Sequence, residues 1–220
     1  DLKSAGYDKL LGGGKLTNAY SVKVSQFTAS AEEKLKAVGG EIFQSTAEEK
    51  ITEGLDGLGV RLMEYFNLGA RFAKWRAVIN IGESLPSDEC IKANMQALAD
   101  YAKIVQQSRM VPMVEPEVLM DGTHTIEKCN MVTHQTLKIV FEQLSIYNVL
   151  LEGIVLKPNM IISAIDCPVQ ADIEKVADMT YACLKENVPE NVPGIAFLSG
   201  GQSGDLATSH LRKMNEKYQN

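Results

Sequence analysis

One lysine in this sequence stands where a lysine is costly. Residues 151–160 have the sequence LEGIVLKPNM, an apolar run that stops at Lys157 and is followed at once by Pro158 and Asn159. An apolar run bounded by a turn signal predicts a buried strand, with Lys157 at its carboxyl end. Because burial disfavours the ammonium form, more of this side chain would exist as the free amine, which can attack a carbonyl carbon. The alternative is a lysine whose stem packs on the sheet while its ammonium reaches water.

The elements that would position this lysine form a regular series. The predicted strands are RFAKWRAVINI, MVPMVEPEV, LEGIVLKPNM and VPGIAFLSGG, and the predicted helices cover about 87–107, 125–144, 169–186 and a last stretch toward Tyr218. Apolar runs that alternate with amphipathic helices indicate βαβ units and a parallel sheet. Four such units fit either part of a (β/α)8 barrel or half of a doubly wound sheet.

Each predicted strand carries polar residues: Lys74 and Arg76 on the first, Glu115 and Glu117 on the second, Lys157 on the third and Ser199 on the fourth. Since side chains alternate with a period of two, Lys74 shares a face with Arg76, and Glu115 shares one with Glu117. Charged groups at the ends of successive parallel strands would converge on one mouth, which in barrels is where chemistry takes place. The alternative is an internal layer of salt bridges.

Composition excludes several classes of protein. The 220 residues are 45% hydrophobic, which suits one domain or one domain with an appendage. The net charge of -6 argues against nucleic acid as the main partner of the whole chain. No apolar run reaches the ~20 residues of a membrane span, and we expect no secretory leader. The four cysteines lack a CxxC pair, so we expect reduced thiols, a cytoplasmic location and no metal site.

The first 44 residues differ from the rest. A glycine-rich turn and a strand are followed by a helix predicted from Ser30 to about Val38, opened by a capping box of Ser30 and Glu33 and stopped by Gly39-Gly40. A polar connector and a second helix, predicted over about 55–66, lead into the series of strands and helices.

Two stretches of this segment, GYDKLLGGGKLTNAYSVKV and FTASAEEKLKAVGGE, resemble the carboxyl-terminal part of the fifteenth protein of the large ribosomal subunit. In that family the region touches ribosomal RNA, and the resemblance implies RNA contacts by five lysines: Lys9, Lys15, Lys23, Lys34 and Lys36. The segment holds six lysines against five carboxylates, which is a weak electrostatic footprint for RNA.

The later motifs carry a second resemblance. EGLDGL, FAKWR, VPMVEPE, LLEGIVLKPNM and GIAFLSGGQS occur in the order and at the separations seen in the class I fructose-bisphosphate aldolases, over about residues 46–220. The resemblance implies a (β/α)8 (TIM) barrel, a homo-oligomer that is usually a tetramer, and a cytoplasmic lyase of glycolysis and gluconeogenesis. It implies reversible cleavage of fructose 1,6-bisphosphate to dihydroxyacetone phosphate and glyceraldehyde 3-phosphate, with no cofactor and no metal.

The family's roles carry over residue by residue. Lys157 matches the lysine that forms the Schiff base, and Glu115 the carboxylate that moves protons while the carbinolamine forms and dehydrates. Lys74 matches the second lysine near the imine, and Glu117 a carboxylate beside it. The remaining matches are to substrate-binding positions: a phosphate-binding turn of Ser199, Gly200 and Gly201, and two positions near the substrate, Trp75 and Arg76.

The resemblance also predicts how much of the barrel is present. Only strands four to seven of the family barrel have counterparts, within a partial barrel over residues 45–220 and behind a ribosomal-protein-like appendage over residues 1–44. Such a half barrel leaves two open sheet edges, which favours pairing with another chain. Two alternatives to catalysis stay open. One is an RNA-binding component of the large ribosomal subunit with an inactive aldolase-like segment, and the other is an aldolase-derived scaffold.

Overall fold

Two structural units make up the chain: residues 1–48 and residues 49–220. The computed structural model describes residues 9–24, 26–44 and 49–218. The first unit contains the strands β1 (Lys9–Leu10), β2 (Ser21–Val24), β3 (Gln26–Phe27) and β4 (Glu41–Gln44) and the helix α1 (Ala29–Ala37). β1 pairs in parallel with β3, and β2 pairs in parallel with β4.

The start of α1 corrects one sequence prediction. Thr28, not Ser30, is the last extended residue before the helix, and its side chain accepts a hydrogen bond from the amide of Ala31. The predicted capping box is therefore wrong by two residues. The predicted stop is confirmed, since Gly39 takes a positive φ of 75° and the amide of Gly40 returns to the carbonyl of Leu35.

The second unit is an α/β fold built on a parallel sheet. Its elements are α2 (Leu58–Asn67), β5 (Phe72–Ile79), α3 (Asp88–Gln107), β6 (Val111–Val118), α4 (Ile126–Ile146), β7 (Val155–Leu156), α5 (Ile173–Asn187) and α6 (Gly204–Lys217). The strands pair in the order β5-β6-β7, all parallel. In the part of the chain that the structure describes, no helix is both long enough and apolar enough to cross a membrane.

The last two predicted strands are shorter than the sequence suggests. A 3-10 turn at Leu151–Gly153 precedes β7, and Pro158, which has no amide hydrogen to donate, follows two residues after it. The stretch VPGIAFLSGG forms an extended segment beside β7. It is joined to β7 by a parallel bridge between Leu156 and Ile195 and continues to the hydrogen bond from the Leu198 amide to the Pro158 carbonyl, 3.1 Å long.

Side-chain caps set where four of the helices begin. The four residues that precede α3, α4, α5 and α6 each accept a hydrogen bond from the amide three residues further on: Ser87, Thr125, Asp172 and Ser203. The predicted starts of the first two helices are confirmed. The third starts at Ile173, four residues later than predicted, because Asp172 provides the cap.

The two faces of the sheet differ in character. On the face toward the helices, Ala77, Ile79, Val114 and Leu156 are at most 1% exposed and pack in one apolar core with α3 and α4. Burial of an isoleucine, valine or leucine side chain contributes about 1.5–3 kcal/mol. The opposite face carries the charged side chains of β5, β6 and the residue after β7, so the apolar core fixes the backbone from which they project.

Candidate active site

Lys157 and Glu115 meet on the polar face of the sheet. The amide of Lys157 donates to the carbonyl of Val114, 2.8 Å away, which holds the lysine beside β6. Its ammonium Nζ lies 2.8 Å from Oε1 of Glu115. Glu115 is only 3% exposed, whereas the Lys157 side chain keeps 27% of its surface. The pair thus combines a buried carboxylate with a lysine side chain that is partly exposed.

A second lysine completes the cluster. Nζ of Lys74, on β5, lies 3.3 Å from the other oxygen, Oε2, of Glu115. One carboxylate therefore stands between two amines, and the three groups have a formal charge of +1. A carboxylate in this position can exchange a proton with a group formed on Lys157, while Lys74 stabilises negative charge nearby.

The next pair along the same strands is Arg76 and Glu117. Nε of Arg76 donates to Oε2 of Glu117, which is 7% exposed. This hydrogen bond is the main reason that the pKa of Arg76 is raised, and Glu115 adds to the effect through its charge. The ion pair with Glu117 holds the Arg76 guanidinium in place. Because 46% of the Arg76 side chain is exposed, this cation lies at the rim of the cluster.

Asn159 anchors the chain just after the lysine, and sequence reasoning missed it. It is 4% exposed, and its Oδ1 accepts from the amide of Val118 at 3.0 Å. Its Nδ2 donates to Oγ1 of Thr133 and to the carbonyl of Met160, both at 3.1 Å. The signal was an amide side chain inside a buried run, because such a group must find partners.

The turn after the extended segment holds three predicted residues. Ser199 follows directly on Leu198, which pairs with Pro158, so the turn begins at the same edge of the sheet as Lys157. Gly200 and Gly201 have φ values of 58° and 73°, and a Cβ added to Gly201 would lie 2.5 Å from Sδ of Met120. Glycine thus suits the left-handed conformation at both positions, and a Cβ at Gly201 would also force the Met120 side chain to move. Next comes α6, whose first-turn amides point toward this end.

Trp75 is the predicted site residue that lies elsewhere. Its indole stacks on the ring of Tyr101 in α3, with the centroids 5.5 Å apart, and Tyr101 is 1% exposed. The indole therefore lies on the helix-facing side, opposite to Lys74 and Arg76. This follows from strand alternation, since Trp75 stands between those two residues.

Two of the thiols, Cys129 and Cys183, are poor nucleophiles in this fold. All four cysteines are free and buried. Burial raises the pKa of Cys183 to about 12 and raises that of Cys129 as well. Within the described ranges, no group of three or more His, Cys, Asp or Glu side chains could hold a metal ion. Burial thus favours the thiol form of Cys129 and Cys183 over the thiolate, which is the nucleophilic form.

Comparison with known proteins gives two family matches. The model of fructose-bisphosphate aldolase class I matches residues 35–220. A second model, that of a family of large-subunit ribosomal proteins that includes 50S-L15 and 50S-L18e, matches residues 1–43. The ribosomal likeness is thus confined to the start of the chain, and it does not favour the ribosomal alternative for the whole.

Individual relatives agree with the first match. The chain is 58% identical over 168 residues to a probable fructose-bisphosphate aldolase class 1 of Xanthomonas axonopodis pv. citri, covering 76% of this chain and 50% of the relative. It is 51% identical over 171 residues to the cytosolic fructose-bisphosphate aldolase 5 of Arabidopsis thaliana, covering 78% and 48%. The chain therefore spans about half the length of the curated relatives that it matches.

A solved structure extends the likeness to the fold. The fructose-bisphosphate aldolase of Plasmodium falciparum, solved in complex with TRAP and a small-molecule inhibitor, superposes with a TM-score of 0.77 at 45% identity, covering 81% of this chain and 52% of that one. The α/β fold seen here is thus that of the TIM-barrel aldolases. With the sequence match over residues 35–220, this shows that the chain belongs to the class I fructose-bisphosphate aldolase family.

Proposed function

We propose that the chain carries the imine-forming centre of a fructose-bisphosphate aldolase, with Lys157 as the nucleophile. The observation that carries the proposal is the single carboxylate of Glu115 held between Nζ of Lys157 and Nζ of Lys74. The substrates would be phosphorylated ketoses and trioses: fructose 1,6-bisphosphate, dihydroxyacetone phosphate and glyceraldehyde 3-phosphate.

The first chemical step uses Lys157 and Glu115. Glu115 first takes a proton from the Lys157 ammonium, and the free amine then attacks the ketone carbon of the substrate. The nitrogen gives a second proton to the former ketone oxygen, so that a neutral carbinolamine forms. Glu115 then delivers a proton to the carbinolamine hydroxyl, which leaves as water, and a protonated imine results. The imine accepts the electron pair released when the bond between carbons three and four breaks, as the proton of the carbon-four hydroxyl goes to a base. The products are an enamine on Lys157 and the free aldehyde.

The side chains and the turn around Lys157 would bind and orient the charged groups of the substrate. Lys74 offsets negative charge beside the imine, and Glu117 keeps the guanidinium of Arg76 directed along the polar face. The turn of Ser199, Gly200 and Gly201, followed by the amino end of α6, would bind a substrate phosphate through backbone amides. Trp75 would contribute indirectly: its packing on Tyr101 holds β5 in place from the face opposite to Lys74.

The extent of the barrel and the assembly belong to the same proposal. β5, β6, β7 and the extended segment would correspond to strands four to seven of the barrel, behind an appendage over residues 1–44. The support is that the chain spans about half the length of its relatives. We further propose a homo-oligomer in the cytoplasm, supported by the cytosolic name of the Arabidopsis relative and the open edges of the sheet.

Two of the lysines nominated for RNA are engaged within the first unit. Nζ of Lys34 donates to the carbonyl oxygens of Gly12 and Gly14, at 2.5 and 2.8 Å, and Lys36 pairs with Glu32 at 2.6 Å. The carbonyl contacts occupy two donors of Lys34, and Glu32 offsets the charge of Lys36, so both lysines offer less to a phosphate backbone. The geometry therefore supports the aldolase proposal better than an RNA-binding one.

Trapping of the imine tests the proposal. The full chain is incubated with dihydroxyacetone phosphate and sodium borohydride, and the lysine peptides are analysed by mass spectrometry. We expect one reduced adduct, on Lys157, that Lys157→Met abolishes. Lys175→Met is the matched control, because Lys175 also pairs with a carboxylate, Glu127, but is exposed. Absence of the adduct, or an adduct that persists in Lys157→Met, would contradict the proposal.

A further inference from the structure

A short chain of hydrogen bonds ends on the turn assigned to the phosphate. The carbonyl of Ser199 accepts two hydrogen bonds from Gln202: one from its backbone amide at 3.2 Å and one from its side-chain Nε2 at 2.9 Å. Both glycines of the turn, Gly200 and Gly201, have positive φ values. Gln202 thus closes the loop whose backbone must hold a left-handed conformation twice in succession.

The orientation of the Gln202 amide follows from its partners. The carbonyl of Ser199 can only accept, so Gln202 must present Nε2 to it, which turns Oε1 the other way. Oε1 lies 2.6 Å from Nδ1 of His210. An amide oxygen can only accept, so Nδ1 of His210 carries the hydrogen in this contact.

His210 itself is enclosed by the fold. It lies on α6 and is 3% exposed. Burial also lowers its pKa, which agrees with a neutral ring that carries one hydrogen. A buried ring has little freedom to turn, so its Nδ1–H is a fixed donor. Fixing Oε1 of Gln202 fixes Nε2 as well, because the amide is planar.

We propose that His210 is a positioning residue: through Gln202 it holds the carbonyl of Ser199, and thereby the turn of Ser199, Gly200 and Gly201, in the conformation that binds the substrate phosphate. The inference rests on the proposed function for its ligand, but the hydrogen-bonded chain is a property of the fold. His210 does not touch the substrate in this scheme. It determines selectivity for a phosphorylated substrate over its unphosphorylated counterpart.

Two variants separate this role from simple packing. His210→Leu removes the donor and keeps a large apolar side chain. His210→Asn is the conservative rescue, since Nδ2 of asparagine occupies nearly the position of Nδ1 of histidine and donates in the same way. Circular dichroism and thermal unfolding of the full chain establish that both variants are folded.

The first measurement is amide hydrogen exchange of the peptide that covers residues 199–203. We expect exchange about fivefold faster in His210→Leu and within about twofold of the original protein in His210→Asn, as loss of one hydrogen bond implies. Unchanged exchange in His210→Leu would overturn the positioning role, and so would equal acceleration in both variants.

The second measurement is the concentration that half-saturates adduct formation on Lys157, with dihydroxyacetone phosphate and with dihydroxyacetone. In His210→Leu we expect the value for the phosphorylated compound to rise about fivefold and that for dihydroxyacetone to stay within about twofold. An equal rise for both compounds would overturn the proposal. If the original protein forms no adduct with either, the proposed function fails, and hydrogen exchange alone decides the positioning role.

Discussion

The ammonium of Lys157 lies 2.8 Å from Oε1 of Glu115, a carboxylate that is 3% exposed. The two residues are 42 positions apart in the sequence, and the parallel pairing of β6 with β7 brings them together, with Met113 opposite Val155 and Val114 opposite Leu156. Burial excludes water from the carboxylate, so protons that it gives or takes are exchanged with its amine neighbours or with a substrate. Under the proposed mechanism, this contact would set how fast the adduct on Lys157 loses water.

The first prediction concerns Glu115→Gln. The amide keeps the shape of the side chain but cannot deliver a proton to the carbinolamine hydroxyl. We expect imine formation with dihydroxyacetone phosphate to slow about 100-fold, which is within the range for loss of a general acid. The rate of borohydride-trapped adduct formation measures this.

Glu127→Gln is the control for that prediction, because Glu127 also pairs with a lysine, Lys175, but on the surface. Its rate should stay within about twofold of the original, as expected for an exposed pair. If Glu115→Gln forms the adduct as fast as Glu127→Gln, the proton-transfer role of Glu115 is wrong.

The second prediction concerns Asn159→Ala. The substitution removes three hydrogen bonds and leaves the buried amide of Val118 without its partner. We expect the free energy of unfolding to fall by about 2–4 kcal/mol, measured by urea denaturation at pH 7. Asn191→Ala removes one exposed contact with Glu152 and should leave the free energy of unfolding nearly unchanged. Equal losses in the two variants would show that the contacts of Asn159 do not hold the segment after Lys157.

Sequence periodicity predicts the parts of this fold that repeat. Alternation with a period of two places Lys74 with Arg76 and Glu115 with Glu117, and the motif order names the aldolase family. The same alternation turns Trp75 toward Tyr101. The family resemblance gives the position of Trp75 in the motif but not the face of the sheet on which its side chain lies. Such local patterns do not predict which side chains will be hydrogen-bonded across separate elements of the fold.

Asn159 and Gln202 illustrate that limit. The partners of Asn159 include Thr133, 26 positions away, and those of Gln202 include His210, on the following helix. Local sequence patterns do not predict these hydrogen bonds, because the partners come together only when the strands and helices pack. The short β7 differs from these two cases, because its limits are local: a 3-10 turn at Leu151–Gly153 precedes it, and Pro158 follows it by two residues.

The third prediction concerns pH. Burial lowers the pKa values of His210 and His124, so the unfolded chain binds protons that the folded chain does not. Their contribution to stability is fully present above the unfolded value, about 6.5, and is lost as the pH falls below it toward the folded values. We expect His210→Asn to reduce the slope of unfolding free energy against pH by up to about 1.4 kcal/mol per pH unit between pH 6.5 and 5.

Urea denaturation at a series of pH values measures that slope. Asn215→Ala, an exposed substitution on the same helix, is the control and should follow the slope of the original protein. A slope in His210→Asn equal to that of the control would mean that protonation of His210 is not linked to folding.

The last prediction concerns Gly201→Ala. Two costs arise together, because φ at this position is 73° and the new Cβ would lie 2.5 Å from Sδ of Met120. We expect a loss of about 2–3 kcal/mol in unfolding free energy, measured by urea denaturation, with about 1–2 kcal/mol of it due to the backbone conformation. Gly194→Ala, which has open space around the new Cβ, should change stability by less than about 0.5 kcal/mol.

A double variant separates the two costs of Gly201→Ala. Met120→Ala removes the sulfur, so adding Gly201→Ala to it should leave only the backbone cost, about 1–2 kcal/mol. If the full loss persists in that background, Met120 is not the neighbour that requires glycine. If no loss occurs in either background, the left-handed conformation of the turn is wrong, and a phosphate site built on its amides is wrong with it.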